Sequence, residues 1–146
     1  MQLSFAVRRP ENISTRMRKQ YYFRASPAGL LAWDVDRLVH LSRAFAVRVV
    51  PLAEIRELDE AIFGEDEAPT WRSFAAHLRL VQEAELQYPI IRAANGAVMD
   101  GMHRVTRAFV EGRETIDAVQ FVADPAPDHV GRQPDELSYE RPRNER

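Results

Sequence analysis

The sequence predicts one α/β (α+β) domain, a small mixed β-sheet flanked by helices, and three observations carry that prediction. Two short apolar runs, Pro89-Ile90-Ile91 and Ala97-Val98-Met99, lie on either side of the turn dipeptide Asn95-Gly96. A helical pattern then begins at Met102, and residues 116–122 alternate between apolar and polar types. Strand, strand, helix and returning strand in this order are typical of a small sheet covered by helices.

Composition excludes several kinds of chemistry and of partner. The 146 residues include no cysteine, so disulfides, thiolate catalysis and cysteine-ligated zinc are excluded. The net charge of −2 argues against bulk electrostatic binding of nucleic acid. No apolar run approaches the length of a membrane span, and the first residues lack the apolar core of a secretory signal. We therefore expect a soluble, cytoplasmic protein that does not contact a membrane.

Residues 1–28 form a basic segment that includes the aromatic run Tyr21-Tyr22-Phe23. One interpretation is that residues 1–24 bind nucleic acid, because aromatic rings beside arginines stack on single-stranded bases. The other is that the aromatic run forms a short strand or packs on the core while the arginines are solvated. The balanced charge of the whole chain favours the second interpretation.

Between residues 34 and 60 the pattern predicts a helix, a strand and a second, short helix. Asp34 is the expected N-cap of the first helix, whose apolar side is formed by Val35, Leu38, Val39 and Leu41. Residues 46–50 are a strand that Pro51 ends. The second helix packs through Leu52, Ile55 and Leu58, and its outer side carries Glu54, Glu57, Asp59 and Glu60. These carboxylates either hold a divalent cation or, as we favour, form a solvated helix face.

After an acidic loop at 63–69, Thr70 predicts the start of an amphipathic helix. Its buried stripe is expected to consist of Trp71, Phe74, Leu78 and Val81. His77 lies beside this stripe and close to the strand that follows. It is either a histidine of the active site or, as we favour, an ordinary core or surface histidine.

The central unit begins with a hairpin at Asn95-Gly96. We predict a type I′ turn there, because asparagine and glycine adopt the positive φ that both central residues of this turn need. The helix at 102–111 is expected to end at Gly112, a typical C′ residue, and to bury Val105, Ala108 and Phe109. Residues 29–123 thus form the predicted domain. Residues 124–146 are a polar, proline-rich tail or an arm pinned by Leu137 and Tyr139.

The segment Asp100-Gly101-Met102-His103-Arg104 lies where a strand passes into a helix. Unused N–H groups and the positive end of the helix dipole make such a junction suitable for an anion. Gly101 lets the backbone approach a ligand closely, and His103 and Arg104 project from the first helical turn. The segment therefore predicts a phosphate or anion site.

Two neighbouring residues extend this hypothesis. Arg107 follows Arg104 by three residues, so its side chain is expected on the same positive face. Asp100 can cap the helix, hold a phosphate-bound metal or accept a proton, and capping is the most common role at such a position. The sequence predicts no metal site made by the protein alone.

These motifs resemble the signature of the ParB/sulfiredoxin-like superfamily. The matching residues are Pro89-Ile90-Ile91, Asn95-Gly96, Asp100-Gly101-x-His103-Arg104, Ala108 and Gly112, and upstream Val49-Val50-Pro51-Leu52-x-x-Ile55. The resemblance implies the ParB/sulfiredoxin-like fold for residues 29–123. It does not settle the chemistry, because this superfamily includes partition proteins that bind CTP, ATP-dependent sulfiredoxin, a free-serine kinase and nucleases.

By this resemblance, the turn holds the phosphates of ATP or another NTP together with Mg²⁺. The implied phosphate contacts are Gly101, His103 and Arg104. We add Met102 as a residue of the same turn and Arg107 from the helical spacing. Asp100 and His103 are the implied catalytic residues of an NTP-dependent phosphotransferase or hydrolase. The alternative is a nucleic-acid-associated regulator or ParB-like nuclease that contacts backbone phosphates. Sulfinic-acid reduction is excluded, because Met102 stands where sulfiredoxin carries its reactive cysteine.

Overall fold

The computed structural model describes residues 18–62 and 69–141. Their regular elements, in chain order, are β1 (Tyr21–Ser26), β2 (Gly29–Asp34), α1 (Val35–Ser42), β3 (Arg48–Pro51), α2 (Trp71–Glu83), β4 (Ile90–Arg92), β5 (Val98–Asp100), α3 (Met102–Val110), β6 (Thr115–Gln120) and β7 (His129–Val130). Two sheets, one of three strands and one of four, pack with these helices. The predicted α+β class is confirmed. No helix of the described residues is both long and apolar enough to cross a membrane.

The larger sheet has the strand order β3-β6-β4-β5 and is mixed. Strand β6 pairs antiparallel with β3 and parallel with β4, while β4 and β5 form an antiparallel hairpin. A parallel pair needs a crossover connection, and β5 with α3 supplies it between β4 and β6. Helix α3 lies on this sheet through Val105 and Ala108, which pack with Ile90 and Val98. The crossover therefore places the N-terminus of α3 beside the end of β5.

The smaller sheet has the order β1-β2-β7 and draws on both ends of the described chain. Tyr21, Tyr22 and Phe23 are buried in β1, so the predicted short strand is the alternative that forms. Near the other end Leu137 is buried and Tyr139 packs edge-to-face on Tyr21, so this stretch is a pinned arm. Residues 1–17, 63–68 and 142–146, which include most of the predicted nucleic-acid arm and the acidic loop, lie outside the described residues.

The elements around β3 follow the predicted order with one change of geometry. Asp34 caps α1 by accepting a hydrogen bond from the Asp36 N–H, as expected. The predicted helix at 52–58 is instead two 3-10 turns, Leu52–Glu54 and Arg56–Asp59. A 3-10 helix has three residues per turn, and its repeat matches the spacing of the core-facing Leu52, Ile55 and Leu58.

The hairpin between β4 and β5 forms, but its predicted type I′ turn is wrong. Asn95 does not have positive φ, whereas Gly96 has φ 89°. The Gly96 N–H donates to the Ala93 carbonyl at 2.9 Å, and the Asn95 side chain accepts from the Ala97 N–H at 2.9 Å. Glycine therefore takes the single left-handed position after an ordinary turn, and the asparagine side chain bonds locally instead.

Helix α2 starts where predicted, but most of its predicted buried stripe is exposed. Thr70 and Ser73 form a capping box at its start. The expected burial is wrong for three of the four residues of this stripe, because Trp71 is 89% exposed, Phe74 50% and Leu78 45%. Val81, the fourth, is partly covered, as are His77 and Leu80. Its apolar residues fall on more than one face, and periodicity alone does not say which face meets the rest of the molecule.

Helix α3 ends as predicted, but its buried face is narrower. Gly112 has φ 76° and donates to the Phe109 carbonyl, while the Arg113 N–H donates to the Ala108 carbonyl. These two bonds form a Schellman motif, which glycine at C′ permits. Phe109 is 63% exposed, so its expected burial is wrong. The sheet under α3 contacts only the side of the helix that carries Val105 and Ala108.

The exposure of the α2 stripe is testable with two matched leucines. Leu38 of α1 is 0% exposed and Leu78 of α2 is 45% exposed. We expect Leu38→Ala to lower the free energy of unfolding by about 2–5 kcal/mol, because it leaves a cavity in the core. Leu78→Ala is expected to cost less than about 1 kcal/mol. Urea denaturation measures both, and equal losses would contradict the exposed placement of the stripe.

Candidate functional site

The junction between β5 and α3 is the first component of the candidate site. Asp100 ends β5, Gly101 has the left-handed φ of 110°, and Met102 begins α3. No described side chain caps this helix. Its first internal bond runs from the Val105 N–H to the Gly101 carbonyl at 3.0 Å, so the helix itself does not use the N–H groups of its first turn. The positive end of the helix dipole lies at the same place.

The junction requires glycine for two reasons. Only glycine adopts the φ of Gly101 without strain. A Cβ built at this position would also lie 2.7 Å from Ile90 Cγ2 and 2.9 Å from Arg104 Nη2. The backbone therefore passes directly against the side chain of the neighbouring strand β4. This close approach puts the N-terminus of α3 next to strand β4.

An ion pair spans the junction. Arg104 Nη2 donates to Asp100 Oδ2 at 3.1 Å and to the Pro89 carbonyl at 3.4 Å. Both side chains are mostly covered, with 20% exposed for Arg104 and 19% for Asp100. The expected capping role of Asp100 is wrong, because its carboxylate binds this guanidinium rather than a helix N–H group. Asp100 instead orients Arg104 across the turn.

A cleft of about 400 Å³ opens beside this junction. One wall comes from the start of β1 and α1, a second from the chain after Arg56, and a third from α2. The predicted site residues Asp100, Gly101, Met102, His103 and Arg104 all line it. The structure thus brings five of the six predicted site residues to one surface, open enough for a small ligand.

The sixth predicted residue, Arg107, makes different contacts. Its Nη1 donates to the Gln82 carbonyl at 2.8 Å and also to the Ala84 carbonyl, and its Nε donates to Glu111 at 3.2 Å. Carbonyls at the end of a helix attract cations, because the helix does not bond them and the dipole is negative there. Arg107 therefore fastens the end of α2 to α3. It is not among the residues that line the cleft.

The contact between His77 and His103 joins α2 to the same turn. His77 Nδ1 lies 3.3 Å from His103 Nε2, and the ring centroids are 5.5 Å apart. Both histidines line the cleft. The sequence left open whether His77 is a histidine of the active site or an ordinary core or surface histidine. It is partly buried, and α2 brings its ring into contact with the predicted phosphate turn, so both interpretations remain open.

Glu57 is a cleft residue that sequence reasoning placed elsewhere. It was expected on a solvated face, but only 6% of it is exposed. One carboxylate oxygen accepts from the Val98 N–H, and the other is buried without a hydrogen-bond partner in the described part of the chain. No local pattern could reveal this position, because Val98 lies 41 residues away along the chain. A buried carboxylate oxygen without a donor is costly and suits a ligand that brings one.

The charge of the cleft is mainly acidic outside the junction. Its carboxylates are Asp36, Glu57, Glu60, Glu83, Glu85 and Asp100, while its arginines are Arg104 and Arg141. In residues 18–62 and 69–141, no group of three or more histidine, cysteine, aspartate or glutamate side chains is arranged to hold a metal ion. A cation bound here would need ligands other than a ready-made protein cluster.

Tyr21 stands on the wall opposite the junction. Its hydroxyl donates to the Ser138 carbonyl at 2.6 Å, which ties the C-terminal arm to this wall. Burial raises the pKa of the Tyr21 hydroxyl, and nearby Lys19 offsets part of that rise. The hydroxyl is consequently a neutral donor at physiological pH, and this wall adds no negative charge from tyrosine.

Comparison of the chain with models of known protein families, with curated proteins and with solved structures found no match.

The steric requirement at Gly101 can be tested against Gly112, a second left-handed glycine. Apart from its chain neighbours and the backbone of its own helix, no atom of the described residues lies within 4 Å of a Cβ built at Gly112. We expect Gly112→Ala to cost about 1–2 kcal/mol of unfolding free energy, from its φ alone. Gly101→Ala is expected to lose about 1–3 kcal/mol more, because the added methyl contacts Ile90. Equal losses in chemical denaturation would show that the junction tolerates a side chain.

Proposed function

We propose that this protein binds the phosphate groups of a nucleotide in the cleft, as an NTP-dependent phosphotransferase or hydrolase of the ParB/sulfiredoxin-like kind. The observation that carries the proposal is the β5–α3 junction, where an uncapped helix N-terminus and Arg104 meet the 400 Å³ cleft. N–H groups at a helix start and an arginine fork are both suited to phosphate oxygens.

The phosphate would lie against the first turn of α3. The N–H groups of Met102 and His103 would donate to its oxygens, because the helix itself leaves these groups unbonded. Arg104 is already oriented by Asp100, so less side-chain entropy is lost when it binds an anion. Arg107 falls outside this proposal, since its contacts hold α2.

The acidic lining of the cleft supports binding of the nucleotide together with Mg²⁺. A bare triphosphate would be repelled by the surrounding carboxylates, and a magnesium ion would offset that charge. Mg²⁺ is commonly held by one or two carboxylates and the substrate phosphates, so it does not need a protein cluster of its own. We propose Asp100 as the carboxylate that holds this ion, because it lies at the junction itself.

Turnover would break the bond between the terminal phosphorus and the bridging oxygen and form one to water or an acceptor hydroxyl. The attacking oxygen loses a proton, which a carboxylate or a neutral histidine can accept. Asp100 and His103 are the proposed residues for this chemistry. Positioning of the phosphate and stabilisation of its charge at the junction would supply the rest of the lowering of the reaction barrier.

Thermal denaturation with ATP, ADP, CTP, GTP, inorganic phosphate and short DNA, each with and without Mg²⁺, tests the binding proposal. A ligand that binds only the folded state raises the melting temperature. We expect a shift with a Mg²⁺–nucleotide and a weakening of its binding by about 10- to 100-fold in Arg104→Ala, because a charge-assisted hydrogen bond is lost. Arg113→Ala, at the other end of α3, is the matched control and should bind normally.

The screen separates the proposed function from its alternative. A shift with DNA and none with any nucleotide would support the nucleic-acid-associated regulator or nuclease instead. A shift that Arg104→Ala leaves unchanged would move the binding site away from the junction.

A second experiment separates turnover from binding. Asp100→Asn keeps the size of the side chain but removes its charge and its ability to accept a proton. If Asp100 acts in turnover, formation of the nucleoside diphosphate from a bound NTP should fall by about 10²-fold or more, in line with loss of general base catalysis. Nucleotide affinity, measured by calorimetry, should fall by a smaller factor of about 2- to 10-fold, because Asp100 also orients Arg104 and is the carboxylate proposed for Mg²⁺. Equal turnover in the variant and the wild type would remove Asp100 from the chemistry.

A further inference from the structure

The contact between His77 and His103 joins the segment 100–104 to a residue of α2 that lies outside the predicted motif. His77 Nδ1 and His103 Nε2 are 3.3 Å apart, and the two rings are tilted by 36°. A neutral imidazole has one N–H donor and one acceptor nitrogen. A hydrogen bond between two such rings therefore restricts the orientation of the His103 ring and couples the tautomers of the two histidines, because one of the two nitrogens must donate and the other accept.

Helix α2 is held in place by few contacts, which makes this pair significant. None of the thirteen residues of α2, all of them described, is buried. Arg107 binds the carbonyls of Gln82 and Ala84 at its C-terminal end. His77 provides a contact in the middle of the helix, at the edge of the cleft. Both contacts are made to α3, so they fix the position of α2 relative to the first turn of α3.

We propose that His77 is a positioning residue for the phosphate site. Through its hydrogen bond to Nε2 it holds the orientation of the His103 ring and couples the tautomer of His103 to its own, and so determines how His103 faces a bound phosphate. This inference rests on the proposed function, because it assigns to His77 a part in that same site. His77 acts through His103 and need not touch the ligand.

The position of His77 distinguishes this role from simple packing. The apolar residues that flank it on α2, Phe74 and Leu78, face outwards and are about half exposed. His77 instead meets His103, which stands two residues after Gly101 in the first turn of α3. An apolar side chain could fill the same space but could not exchange a hydrogen bond with His103. Phosphate binding should therefore depend on whether the side chain at position 77 can form a hydrogen bond, and not on its volume alone.

The test compares His77→Asn with His77→Ala and His77→Leu. The asparagine amide can donate or accept near the place of Nδ1, whereas alanine and leucine can do neither. We expect alanine and leucine to weaken binding of inorganic phosphate and Mg²⁺–ATP by about 2- to 10-fold, the effect of one hydrogen bond. His77→Asn should retain most of the affinity that the alanine and leucine variants lose. Arg79→Ala, an exposed change on the same helix, should have no effect.

Nitrogen NMR of the histidine rings supplies a readout that packing alone would not move. The ¹⁵N shift of His103 Nε2 should report a hydrogen-bonded nitrogen in the wild type and in His77→Asn, and the loss of that bond in His77→Ala and His77→Leu. Unchanged His103 shifts in the apolar variants would overturn the inference. Equal phosphate affinity in the wild type and in all three His77 variants would also overturn it. The same holds for a loss of phosphate affinity that comes with a lower melting temperature and that asparagine does not restore.

The two proposals fail in different ways. If the wild type binds neither phosphate nor any nucleotide, the proposed function falls and takes this inference with it. If the wild type binds and the apolar His77 variants bind equally well, the inference alone falls.

Discussion

The left-handed backbone at Gly101 is the constraint on which the rest of the site depends. At φ 110°, with Ile90 Cγ2 only 2.7 Å from the place of a Cβ, the chain leaves β5 and enters α3 within a single residue. A longer connection would lift the helix away from the sheet and carry its N-terminus out of the cleft. The pair of Asp100 and Arg104 bridges this residue from both sides and holds the junction in one geometry.

The same junction links the core to the cleft. On its inner side α3 packs Val105 and Ala108 on the mixed sheet, and this burial fixes the helix in place. On its outer side the first turn faces the cleft with His103 and Arg104. Core packing thus holds the N–H groups in position before any ligand arrives, which lowers the entropic cost of binding. The remaining walls come from elements distant in sequence, among them Tyr21 of β1.

Local patterns predicted the parts of the fold that local chemistry decides. The cap at Asp34, the cap at Thr70, the turn around Gly96 and the C′ glycine at 112 all depend on residues within five positions of one another. The cleft residues Asp100 to Arg104 were predictable for the same reason, because they form one continuous segment. The geometry of the turn at Asn95 was not, since a side-chain hydrogen bond there replaced the expected positive φ.

Contacts between distant segments set the features that the sequence did not reveal. Glu57 is buried because its carboxylate accepts from Val98, 41 residues away. The outward stripe of α2 follows from Arg107 and His103 holding the opposite side of that helix, each more than twenty residues distant. The tertiary position of an amphipathic helix depends on its partners, and periodicity describes the helix alone.

The central claim is that the junction binds phosphate, and mapping of backbone amide shifts by ¹H–¹⁵N NMR tests it most directly. The protein would be titrated with Mg²⁺–ATP and, separately, with inorganic phosphate. The account predicts that the amides of Gly101, Met102, His103 and Arg104 shift first and most with both ligands, because their N–H groups would bind the phosphate. Saturable shifts confined to other surfaces, with these four amides unmoved, would contradict it.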